Sequence, residues 1–118
     1  MSETISQLIW NELNEIHKDK GNYDPALIAE KLVNLSVLYA NLTEKIAEFE
    51  SQYIALVGMA QEKDPDRPYA KVEAEAKNTQ EYFRLRKAQA LEKALVECIR
   101  SLKKYLKVKE GELQSSNY

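Results

Sequence analysis

Ten apolar residues between Ile28 and Ala60 recur at steps that alternate four and three without a break: Ile28, Leu32, Leu35, Tyr39, Leu42, Ile46, Phe49, Tyr53, Leu56 and Ala60. A helix completes a turn every 3.6 residues, so this spacing lays all ten along one face. Such a stripe requires an apolar partner along its whole length. Asp24-Pro25 supplies an N-cap and a first helical residue, and Asp64-Pro65 a stop. The spacing therefore predicts one helix over 25–63.

The partner is the later stretch. Asp64 to Tyr69 holds two prolines and is short, which makes the flanking helices antiparallel neighbours. A third helix is predicted over 70–108. Its first half carries a thin seam of Val72, Ala76, Thr79 and Phe83. Its second half is wider, with Ala88, Leu91, Leu95, Cys98, Ile99, Leu102 and Leu106. The front of helix two is wide as well, with Leu27, Val33, Val37 and Leu38 beside the seam. A wide stripe faces two neighbours. The first helix, predicted over 3–18 with Ser2 or Thr4 as its cap, has an apolar stripe of Ile5, Leu8, Ile9, Leu13 and Ile16, and Trp10 beside it. Alone it is marginal, so it is expected to fill the third position.

The expected fold is all-α. A long antiparallel helical hairpin, coiled-coil-like, takes the short N-terminal helix at its open end as a three-helix bundle. Residues 1–118 form one domain, with a turn at 64–69 and a polar tail, 109–118, expected to fray. Toward the turn only two helices remain. There Tyr53, Leu56, Val57, Met59, Tyr82 and Leu85 are expected to lack cover and to offer a surface to a protein partner or a second copy.

Three Gly and three Pro among 118 residues suit such a helical chain. One cysteine, Cys98, excludes an intrachain disulfide and points to the reducing cytoplasm. The start lacks a signal-peptide pattern, and no apolar run reaches the ~20 residues that span a bilayer. The net charge of −2 hides an asymmetry. Residues 1–63 carry five basic and ten acidic residues, a net of −5. Residues 84–109 carry nine basic residues against Glu92 and Glu97, a net of +7. Arg86, Lys93, Arg100 and Lys107 recur every seven residues, and Arg84 and Lys104 lie close by. Two readings compete. In one, this face is solvated or pairs with Glu12, Glu15, Asp19 and Glu30 of the acidic helices. In the other, it tracks phosphates and binds nucleic acid without sequence preference.

No catalytic constellation stands out. His17 is the only histidine and no Glu-x-x-His accompanies it, so a helical di-iron site has no support. Cys98 falls on the apolar face without a neighbouring base. Glu12 with Glu15, and Glu44 with Glu48, stand at helical spacing. They could hold magnesium in a metal-dependent nucleotide phosphohydrolase, but they do not converge on the apolar face, and a solvated role accounts for them better. Tyr82 and Phe83 beside Arg84 and Arg86 are the one place where aromatics and cations interleave, a pattern suited to single-strand stacking. There is no glycine-rich phosphate loop and no Ser–His–Asp set. No cofactor is implied.

In the third helix, Glu73-Ala74-Glu75-Ala76-Lys77, then Glu81-Tyr82, then Ile99 to Leu106 and a late Glu112 form a layout that resembles small helical-hairpin accessory proteins of tailed bacteriophages. The resemblance covers roughly residues 40–112. It implies an accessory, non-enzymatic role and transfers no functional residue. The function expected from the sequence is thus a helical protein–protein interaction protein, with self-association or a protein partner at the hairpin arm. Nucleic-acid binding through the basic face is the alternative.

Overall fold

The computed structural model describes the backbone of residues 4–116 and the side chains of 4–112. Within these the chain is all-α, a helical bundle in which the long helices pack on one another. The elements are α1 (Ile5–Asp19), a short 3-10 turn (Lys20–Asn22), α2 (Pro25–Lys63), α3 (Tyr69–Ala76) and α4 (Gln80–Ser116). Two compact units divide the chain: Met1–Leu42 with Glu92–Tyr118, and Thr43–Leu91.

In the first unit, α1 opens on a capping box. Thr4 Oγ1 accepts from the Gln7 N–H at 3.2 Å, and the Thr4 N–H donates to Gln7 Oε1 at 3.1 Å. Ser2, the other capping candidate, lies outside the described residues. Asp24 caps α2 as its sequence implies, its Oδ1 accepting from the Leu27 N–H at 2.8 Å. Ile9, Leu13 and Ile16 of α1, Ile28, Leu35 and Leu42 of α2, and Leu95 and Leu102 of α4 are buried together. Each helix thus gives one stripe to a three-helix core. Val33 and Val37, expected beside the seam, face solvent. The core-facing arc of α2 is narrower than the apolar count suggested.

The second unit departs from the single third helix. At Lys77-Asn78-Thr79 the helix breaks. The Asn78 and Thr79 N–H groups donate to the carbonyls of Glu75 and Ala76 at 3.0 and 3.2 Å, a tightened last turn for α3. Thr79 Oγ1 then accepts from the Tyr82 N–H at 3.4 Å and so caps α4. Asn and Thr are weak in helix interiors and strong at starts, which places the break here. Its packing consequence is large. Val72 and Ala76 of α3 close over Val57, with Tyr53 and Leu56 packed against them, while Leu85, Ala88 and Leu91 are the buried residues of the part of α4 that belongs to this unit. Phe83, expected in the seam, is turned out and is 65% exposed. The tail differs too: α4 remains helical through Ser116, past the expected end at Val108. One glycine, Gly111, costs about 1 kcal/mol in a helix, and Lys109 set over the Tyr105 ring at 5.4 Å ties down the turn before it. Asn117 and Tyr118 lie outside the described residues.

Candidate functional site

The surface expected on the arm is not there as drawn. Val57 and Leu85 are buried, and Tyr53, Leu56 and Tyr82 are half-buried; Met59 alone of the six is exposed. The Tyr53 and Tyr82 rings lie 5.2 Å apart, tilted by 45°. The reason is the break at 77–79. It lets α3 and α4 cover the second half of α2 as two separate segments.

The basic residues of α4 are where the sequence reasoning placed them and are better exposed than it required. Leu95 and Leu102 point into the core of the first unit. Lys93, Arg100, Lys104 and Lys107 fall on the opposite side of the helix, with Lys103 at its edge, and all five are exposed. Arg84, Arg86 and Lys87, in the second unit, are exposed as well. Arg100 Nη1 meets Glu97 Oε1 at 3.2 Å, an in-helix pair open to solvent and worth little. Arg86 donates to Gln89 Oε1 at 3.3 Å. Among the described residues, the other six cations between Arg84 and Lys107 make no ion pair and no hydrogen bond through their side chains.

Two of the four carboxylates expected to neutralise that face, Glu12 and Glu15, are engaged elsewhere. Lys31 of α2 donates to Glu12 Oε1 at 2.8 Å and to Glu15 Oε1 at 3.2 Å. Its side chain is only 14% exposed, and it holds its proton well above the ordinary lysine range, chiefly through the hydrogen bond to Glu12. Glu12 and Glu15 therefore serve the α1–α2 contact. Glu48 pairs with Lys45 in its own helix. No group of three or more metal-ligating side chains gathers among the described residues, and no helix there is long and apolar enough to cross a membrane.

A groove of about 350 Å³ runs between α1 and α4, lined by Trp10, Leu13, His17, Ala94 and Cys98 among others. Burial raises the Cys98 thiol above its ordinary value, the opposite of what a nucleophile requires. A second, shallower depression of about 470 Å³ is lined by Glu97, Arg100, Ser101, Lys103 and Lys104. It lies within the exposed basic stretch of α4. No protein-family model, no curated protein and no solved structure matches this chain.

Proposed function

We propose that this chain is a non-enzymatic helical interaction protein that binds the phosphate backbone of nucleic acid through the basic face of α4. What supports the reading is the pairing pattern: Lys31 occupies Glu12 and Glu15, while the α4 cations from Arg84 to Lys107 stay exposed and have no partner on another helix among the described residues. Clustered unpaired cations repel one another, and a polyanion relieves that repulsion while releasing its own condensed counterions. The row Lys93, Arg100, Lys107 advances about 10 Å per heptad along the helix, so it meets an extended backbone at several phosphates.

Fluorescence anisotropy of labelled DNA and RNA across a salt series tests this. Binding should fall by roughly 0.7 to 0.9 log units per log unit of salt for each phosphate engaged. The double variant Lys93→Glu/Arg100→Glu should weaken binding and flatten that slope. A wild-type affinity that ignores salt, or a variant that binds as tightly as wild type, would remove the reading. A protein partner is the second reading. The groove beside α1 favours it, because Trp10, which lines that groove, is 47% exposed.

A further inference from the structure

Phe83 is the most exposed large apolar side chain among the described residues. Its position follows from the break at 77–79, which turns Leu85, Ala88 and Leu91 inward and leaves Phe83 on the outer side of α4. The cations Arg86 and Lys87 stand three and four residues further on, which places them beside the ring on the helix surface. Both are exposed, and neither makes an ion pair among the described residues. The nearest acid in sequence, Glu81, is half-buried and falls on the other side of the helix. An exposed π-face with two cations at its edge, and no acid three or four residues from it along the helix, has a definite chemical complement.

We infer that this turn of α4 is a single-strand contact, in which an unpaired base stacks on Phe83 while Arg86 and Lys87 hold the phosphates that flank it. The inference rests on the reading that the α4 cations bind nucleic-acid backbone, and it names the form of nucleic acid preferred. Bases in a duplex are already stacked on one another and cannot reach the ring. Every base of a single strand has a free face, so the contact is tolerant of sequence. An aliphatic residue at position 83 would keep the apolar surface but lose the stacking.

The test compares a labelled oligothymidylate with a duplex of equal length, by anisotropy at one salt concentration and then across a salt series. Wild type, Phe83→Leu, Phe83→Trp and Lys93→Glu/Arg100→Glu are measured side by side. Phe83 is exposed, so its substitutions leave the fold intact, and circular dichroism checks this. Phe83→Leu should lose about tenfold in single-strand affinity, leave duplex affinity unchanged and keep the salt slope. Phe83→Trp should restore the affinity, and in a Trp10→Phe background its fluorescence should be quenched by the strand. If Phe83→Leu binds the single strand as wild type does, while Lys93→Glu/Arg100→Glu still loses it, the stacking inference is wrong and the basic-face reading stands. If wild type binds neither polymer at low salt, or binds only an acidic polypeptide such as polyglutamate, both are overturned.

Discussion

Two tyrosines carry an unusual burden. The hydroxyls of Tyr23 and Tyr53 are buried and find no hydrogen-bond partner among the described residues. Burial raises both above the ordinary tyrosine value, and Lys31, 6.0 Å from the Tyr23 ring centre, offsets this only in part. A hydroxyl desolvated without a partner costs free energy that its removal restores. Tyr23→Phe should therefore leave stability at neutral pH within about 0.5 kcal/mol of wild type, or raise it. In alkali the sign is definite. Above the unfolded value near 10.0, the unfolded chain releases the Tyr23 proton while the folded chain retains it, so stability falls as pH rises. Lys31, whose proton is also held more tightly in the fold, loses its contribution in the same direction. Tyr23→Phe removes the tyrosine part, so its midpoint of alkaline unfolding, followed by circular dichroism, should lie above that of wild type. A lower midpoint would mean that the hydroxyl has a partner after all. None of this was legible in the sequence, where Tyr23 falls between the helices expected over 3–18 and 25–63.

Among the helices, the bounds of α2 were legible and those of the third helix were not, and the difference is physical. The bounds of α2 rest on Asp24-Pro25 and Asp64-Pro65, where the backbone itself is constrained, and the observed helix spans Pro25–Lys63. Its seam is buried or half-buried from Ile28 to Leu56 and fails only at Ala60. The third helix has no proline or glycine at 77–79. Val72, Ala76, Thr79 and Phe83 keep helical spacing straight across the break, so periodicity argued for continuity. The contrary signal was Asn78-Thr79 with Glu81 in the following turn, a helix start. Reading it would have moved Phe83 to the surface and Leu85 to the interior. Thr79→Ala should cost about 1 kcal/mol through the lost cap, or roughly 3–5 °C in melting temperature. Thr79→Ser should melt near wild type. Equal melting of the Ala and Ser variants would show that the cap contributes nothing.

Across the whole chain, the charge asymmetry was legible as a count but not as a set of pairs. Residues 1–63 and 84–109 carry −5 and +7, yet pairing depends on which helix faces which. The structure gives Glu12 and Glu15 to Lys31, a contact no spacing rule indicates, and so withholds these two carboxylates from α4. The two units also differ in depth. Of the eight largest fully buried side chains among the described residues, only Val72 belongs to Thr43–Leu91. That second unit contains two connections, 64–68 and 77–79, and they place opposite demands on chain length. The first is a surface turn, fastened by Gln61 Nε2 on the Arg67 carbonyl at 3.1 Å and by the Arg67–Glu75 pair. The second sits between two packed helices. One added residue at 77–79 would rotate the start of α4 by about 100° against α3, exchanging what is wet for what is dry. Thermal unfolding of single-alanine insertions should show the asymmetry: near-wild-type melting for an insertion after Asp66, and collapse of the second unit for one after Asn78. Equal tolerance at both places would contradict it. In a population of drifting sequences, the gene for this fold can gain or lose codons at one bend and is held to a fixed count at the other.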